Sequence, residues 1–140
     1  MAFQIDIPPP RFGEFDLGGV LYHANYFHIL EQIREAFLAN GPMNYPSLVQ
    51  NNSHLALVES RQKFLKPIHY GDSLKAELTF SEVKSVYAVA EYRLFTDQTL
   101  HLAQTKLVYV HLKDGAFSVS SIPDTLRGYF MQYEGTTQFK

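Results

Sequence analysis

Residues 24–40 carry the longest helical pattern in the chain, and almost everything after them has a period of two. Tyr26, Leu30, Ile33 and Phe37 fall at i, i+4, i+7 and i+11, a single stripe of a helix, while His28, Glu31, Gln32 and Glu35 occupy the other side. Asn40-Gly41-Pro42 stops the pattern: glycine suits the left-handed position after a helix, and proline cannot continue one. A helix about 25 Å long with one apolar stripe needs one broad apolar surface against it.

The rest of the chain supplies that surface as strands. Phe3 to Ile7 alternates apolar and polar and is closed by Pro8-Pro9-Pro10, which cannot donate to a sheet ladder. A short helix or loop follows Pro46. Leu55 to Phe64, Leu74 to Phe80, Val86 to Phe95 and Leu102 to Leu112 are rich in Val, Leu, Tyr and Phe. Lys113-Asp114-Gly115 signals a hairpin into a last strand at Phe117 to Val119, and Pro123 to about Tyr133 predicts a terminal helix. The order strand, long helix, run of strands is α+β: one helix lying on an antiparallel sheet, with residues 1–140 as a single domain.

Composition narrows what such a domain does. Of 140 residues, 46% are hydrophobic, with 11 Phe and 9 Tyr, enough for a packed core. Net charge is −2 with no basic block, which argues against nucleic acid as a partner. There is no cysteine, so disulfides, thiolate nucleophiles and cysteine-ligated zinc are excluded, and a reducing compartment is expected. MAFQIDIPPP lacks the pattern of a signal peptide, and no apolar run reaches the roughly 18 residues of a membrane span. The expectation is a cytoplasmic protein. The histidines at 28, 54, 69, 101 and 111 lack metal-ligand spacing, and no metal is expected.

The segment Phe12-Gly13-Glu14-Phe15-Asp16-Leu17-Gly18-Gly19-Val20-Leu21-Tyr22-His23-Ala24-Asn25-Tyr26 is too specific for a plain connection. It resembles the signature of hotdog-fold acyl-CoA thioesterases of the 4-hydroxybenzoyl-CoA thioesterase family. Phe64, Pro67 and Gly71-Asp72 match that family's strand-turn spacing. Among its branches the chain is most similar to the 1,4-dihydroxy-2-naphthoyl-CoA hydrolases of phylloquinone biosynthesis. The resemblance implies a sheet wrapped around a long central helix. It also implies hydrolysis of an aromatic acyl-CoA, with coenzyme A as part of the substrate and no separate cofactor.

The residues support this chemistry in their own right. Thioester hydrolysis needs a nucleophile or base and donors for a developing oxyanion. With no cysteine and no G-x-S-x-G elbow, a carboxylate is the best candidate. Asp16 precedes a glycine turn where backbone can approach a ligand, and the helix begins near His23 with N–H groups that lack intrahelical partners. The resemblance makes Asp16 the catalytic carboxylate and the backbone N–H of His23 an oxyanion donor. Direct attack and water activation stay open. Asp16 also reads as an ordinary turn residue, and His23 as structural. Glu14 and Glu31 are rival carboxylates, and a His23–Glu31 pair would suit a dehydratase.

Gly19 and Tyr22 are the expected substrate-binding neighbours, with Tyr26, Phe27 and Phe64 as further candidates for an acyl pocket that also read as core. Arg61 and Lys63 alternate on one strand face and are expected to meet the coenzyme A phosphates. Lys66, Lys84, Lys113 and Arg127 are alternatives. Apolar residues on both faces of the late strands, Leu107 to Val110, predict a homo-oligomer, a dimer or tetramer, unless Ile122 to Phe130 caps the sheet. Other readings are a short- or medium-chain acyl-CoA thioesterase and a non-enzymatic acyl-CoA or apolar-ligand binding module.

Overall fold

Residues 1–139 are described by the structure, a computed structural model. In chain order they form β1 (Phe3–Asp6), α1 (Tyr26–Ala39), α2 (Tyr45–Gln50), β2 (Ser53–Phe64), β3 (Lys75–Val83), β4 (Tyr87–Phe95), β5 (Thr99–Lys113), β6 (Ala116–Val119) and α3 (Asp124–Met131). The strands make one antiparallel, curled sheet in the order β1-β3-β4-β5-β2, and β6 pairs with β5. Asp114 and Gly115 both take positive φ, 52° and 79°, as a two-residue hairpin between β5 and β6 requires.

Helix and sheet meet along the faces the two periods define. Tyr26, Leu30, Ile33 and Phe37 are buried, joined by Ile29 and Leu38, and His28, Glu31, Gln32 and Glu35 are exposed. Opposite them the sheet presents Ala76, Leu78 and Phe80 from β3, Ala88, Ala90, Tyr92 and Leu94 from β4, and Ala103 and Leu107 from β5. Four alanines in this layer leave room for the helix to settle close to the sheet. One polar thread crosses the layer: Arg34 Nη1 donates to Tyr92 Oη at 3.0 Å, and Tyr92 Oη lies 2.7 Å from Thr105 Oγ1. That pairing lets a guanidinium and a phenol stay among apolar neighbours.

The helical pattern of residues 24–40 is divided in two. His23–Asn25 form a 3-10 turn, and the α-helix proper is the 14 residues Tyr26–Ala39. The stop signal also works differently from expectation. Asn40 ends the helix in right-handed conformation, and Gly41 is not among the positive-φ glycines. Its reason is space. A Cβ at Gly41 would stand 2.3 Å from Tyr129 Cε2. The Tyr129 ring is stacked on Phe37 at 4.4 Å, and its hydroxyl donates to the Phe37 carbonyl at 2.6 Å. The terminal helix α3 is thus latched to the end of α1.

The far face of the sheet is partly covered from within the chain. After α3, residues 134–139 cross it: Gly135 N donates to Phe80 O at 2.9 Å, and Phe139 is buried. Beneath them Glu91, only 1% exposed, accepts hydrogen bonds from Ser81 Oγ, Gln104 Nε2, Thr137 Oγ1 and the Gln138 N–H. The cover comes from this tail rather than from Ile122 to Phe130. Leu126 and Phe130 of that segment go to the core, where Phe130 stacks on Phe80.

Substituting Gly41→Ala is expected to destabilise the protein by about 1–3 kcal/mol through overpacking against Tyr129. Urea unfolding measures it, and the same change in a Tyr129→Ala background should cost markedly less.

Candidate active site

The Asp16 segment folds as a small hairpin. Asp16 N donates to Val20 O at 2.9 Å, Gly19 N donates back to Asp16 O at 3.0 Å, and Phe15 bridges Leu21. Gly19 takes φ +78°, a conformation an L side chain resists. The Asp16 carboxylate folds over its own turn: Oδ1 accepts the Gly18 N–H at 2.8 Å and lies 3.4 Å from Val20 N. A side chain at position 18 would press on that oxygen, since a Cβ there lies 3.2 Å away. Oδ2 takes no hydrogen bond among the described residues, and Asp16 is exposed.

Three anchors fix the hairpin. Leu21 N donates to Ile68 O at 2.8 Å, and Val20 bridges His69. The ring of Tyr70 meets Phe15 and Phe12 edge-on, each at 5.5 Å. The third anchor ties the hairpin to the helix start: the Glu14 carbonyl accepts both Tyr22 N at 3.1 Å and Asn25 Nδ2 at 2.8 Å.

The chain then runs directly into the 3-10 turn. Asn25 N is bonded to Tyr22 O and Tyr26 N to His23 O. The N–H groups of His23 and Ala24 have no partner among the described residues, and no side chain caps them. They are the free donors of a helix beginning, where partial positive charge collects. His23 and Tyr22 are both exposed, their rings 4.3 Å apart. Carboxylate and free donors thus sit at opposite ends of one short ladder.

A family profile, the thioesterase-like superfamily, matches residues 10–130. The chain belongs to that superfamily. A protein of Aquifex aeolicus is 25% identical over 113 residues, covering 81% of this chain and 86% of its own length. The 1,4-dihydroxy-2-naphthoyl-CoA hydrolase of Picosynechococcus is 31% identical over 88 residues, 62% of this chain and 60% of that protein. The crystal structure of a 1,4-dihydroxy-2-naphthoyl-CoA thioesterase from Synechocystis superposes with a TM-score of 0.82 at 20% identity, covering 94% of this chain and 96% of that one. The sheet and helix described above are the superfamily's hotdog fold.

Within that family frame, the expected residues divide. Asp16, Gly19, Tyr22 and His23 come together on the hairpin and turn. Arg61 and Lys63 lie elsewhere, on the far sheet face, where Arg61 Cζ is 4.9 Å and Lys63 Nζ 5.3 Å from the centre of the Phe139 ring. Glu14 is engaged in its own turn, its Oε2 accepting the Arg11 N–H at 2.6 Å. Glu31 is exposed on α1. A cavity of about 220 Å³ borders the hairpin through Glu14, Leu21 and Asn25, with Pro8 to Arg11 and His28, Ile29 and Gln32 of α1 as its other walls; Asp16 is outside it. Among the described residues no three His, Cys, Asp or Glu side chains gather as metal ligands, and no helix is long and apolar enough to cross a membrane.

Two residues escaped the sequence reading. Asn25 carried a visible signal, a polar residue just before a helix, but its bond to a carbonyl eleven residues back is tertiary. His101 gave none. It is fully buried on the helix side of β5, its ring 4.2 Å from that of Tyr26 and 4.7 Å from that of Phe64. Burial pushes its imidazole down to about 4.

Between about 4 and the ordinary 6.5 the unfolded chain binds a proton at His101 that the folded chain refuses. Stability should therefore fall as pH drops through this window, by at most about 1.4 kcal/mol per pH unit from this group. Urea unfolding from pH 7 down to about 4.5 should give a flatter profile for His101→Phe than for the wild type.

Proposed function

We propose that the protein is a cytoplasmic acyl-CoA thioesterase acting on an aromatic acyl group of the 1,4-dihydroxy-2-naphthoyl type. One observation carries the reading. The Asp16 carboxylate is held by its own turn through one oxygen, with the other free, on a hairpin that leads into two unpaired helix-start N–H groups. A thioester carbonyl bound at the His23 and Ala24 N–H groups would have its oxygen where negative charge is stabilised as the carbon becomes tetrahedral. Asp16 Oδ2 then serves as nucleophile or as the base for a water. The Picosynechococcus hydrolase supports the acyl class through its partial match. Gly19 leaves open space at the turn, and Tyr22 offers an exposed ring for the acyl group. Arg61 and Lys63 would take up coenzyme A phosphates along β2.

The working form is a homo-oligomer, a dimer or tetramer. β2 is a 12-residue edge strand whose outward ladder is unpaired in the single chain, and Leu57 and Val58 on it are exposed. A long edge of this kind is covered in natural proteins. Sedimentation equilibrium should return a multiple of the 16.0 kDa chain mass, and Val58→Lys should shift it toward the monomer.

Asp16→Asn is expected to lower kcat on 1,4-dihydroxy-2-naphthoyl-CoA by about 10²–10⁴-fold, with the circular dichroism spectrum unchanged. Wild-type turnover in that variant would remove Asp16 from the mechanism. Faster turnover of aliphatic than of aromatic CoA thioesters by the wild type would replace the acyl class.

A further inference from the structure

The crevice of about 220 Å³ beside the Asp16 hairpin has no part in the chemistry assigned to Asp16, which lies outside it. Its walls follow from the chain. Pro8-Pro9-Pro10 end β1, whose neighbour Ile7 still donates its N–H to the Leu74 carbonyl at 3.0 Å. The prolines give the crevice a wall of fixed φ that offers no backbone N–H. Leu21 of the hairpin and Ile29 of α1, each 4% exposed, supply an apolar floor. His28 and Gln32, four residues apart on α1, bring two polar side chains to it from one helix face. The crevice is smaller and more enclosed than the one on the far sheet face, which measures about 690 Å³.

The polar lining has donors to spare. Arg11 bonds Glu14 through its backbone N–H, and its guanidinium has no partner among the described residues, where the one ion pair is Arg93 with Glu77. The His28 ring and the Gln32 amide are likewise without a partner there, and each carries at least one N–H in any protonation state. Glu14 is the only carboxylate on the crevice, and its Oε2 already accepts the Arg11 N–H at 2.6 Å. The lining thus offers one fixed cation, two further donors and an apolar floor. A ligand with one negative charge on an apolar body matches that set. A second charge would face Glu14, and a neutral ligand would leave the guanidinium unused. A carboxylate is the anion a guanidinium fork grips with two parallel bonds at the cost of a single charge. The volume is below the roughly 300 Å³ at which sites for drug-sized ligands begin, so the body is one ring or a short chain.

We propose that this crevice is a second binding site, for a small monocarboxylate: Arg11 takes the carboxylate, His28 and Gln32 donate to it, and the apolar body lies on Leu21 and Ile29 against the prolines. The site is separate from the thioester site and requires no particular reaction at Asp16. Proline and helix walls are stiff, so little ordering is needed when a ligand enters. The crevice also touches the link between hairpin and helix. Glu14 and Asn25 both line it, and the Asn25 side chain and the Tyr22 N–H both end on the Glu14 carbonyl. A ligand held there is therefore visible at the Asn25 amide.

The test titrates benzoate, benzamide and acetate into the nitrogen-15-labelled full chain. Benzoate should give saturable shifts of the Gln32 and Asn25 side-chain amides and of the Arg11 Nε–H. Benzamide keeps the ring and loses the charge; acetate keeps the charge and loses the ring. Each should bind more weakly than benzoate by about tenfold or more, the scale of a hydrogen bond to a charged group or of a buried ring. Arg11→Gln, which retains the backbone bond to Glu14, should weaken benzoate by about tenfold or more on the same ground. Should that variant disturb its turn, His28→Ala reports on the site from the helix and should weaken benzoate by about threefold or more, the scale of a neutral hydrogen bond. Asp16→Asn should leave the affinity within about threefold, since a solvated charge outside the crevice is screened. No saturable shift with benzoate, equal binding of benzamide, or unchanged affinity in both Arg11→Gln and His28→Ala would overturn the proposal. So would shifts centred on the Gly18, His23 and Ala24 amides and lost in Asp16→Asn, which would place the carboxylate on the hairpin instead.

Discussion

The Glu14 carbonyl is the point on which the candidate site turns. Two N–H groups converge on it, one from the Tyr22 backbone and one from the Asn25 side chain. The first extends the hairpin ladder; the second belongs to the turn that starts α1. A single acceptor therefore couples the loop bearing the carboxylate to the helix whose buried face holds the sheet. The register between Asp16 and the free N–H groups is set by backbone geometry, not by the flexible reach of side chains. Preorganisation of that kind is what electrostatic stabilisation of a developing oxyanion requires.

The rest of the fold keeps α1 in one place. Its buried stripe lies against alanines and large apolar side chains of the sheet, and Tyr129 clamps its far end through the Phe37 carbonyl. Close packing at Gly41 leaves little freedom for the helix to slide. On the opposite face, Glu91 accepts from four donors, two of them from the tail (Thr137 Oγ1 and the Gln138 N–H) and two from the strands (Ser81 Oγ and Gln104 Nε2). A carboxylate so satisfied is tolerated under cover, and it ties the chain end to three strands.

What the sequence made legible was whatever is local. The helix face, the strands, the Asp114-Gly115 hairpin and the glycine turn after Asp16 each follow from residues within a few positions of one another. Long-range contacts were hidden. Gly41 looked like a left-handed cap because that is the commonest reason for glycine after a helix; its actual constraint is a tyrosine ring from the last helix. The 3-10 turn at His23–Asn25 was read as part of the helix, since its apolar spacing continues the pattern while its hydrogen bonds do not. Arg61 and Lys63 were placed on one strand face correctly, but which face, and the Phe139 ring that meets them, depend on the tail. A lone histidine in a strand, His101, has no neighbours in sequence that announce its burial.

Two readings of Asp16 that look like rivals in the sequence are joined in the structure. One oxygen serves the turn, accepting the Gly18 N–H. The other oxygen is left over, and it is the one available for chemistry. The turn alone does not require a carboxylate, because an asparagine carbonyl would accept the same N–H. The negative charge is surplus to the local structure. In open solvent that charge acts weakly on a carbonyl several ångströms away, because water screens it. It gains force where water is displaced, and with Asp16 and Tyr22 both exposed that displacement has to come from a bound molecule. A molecule bound against the hairpin would exclude that water, and with it the screening that weakens the Asp16 charge.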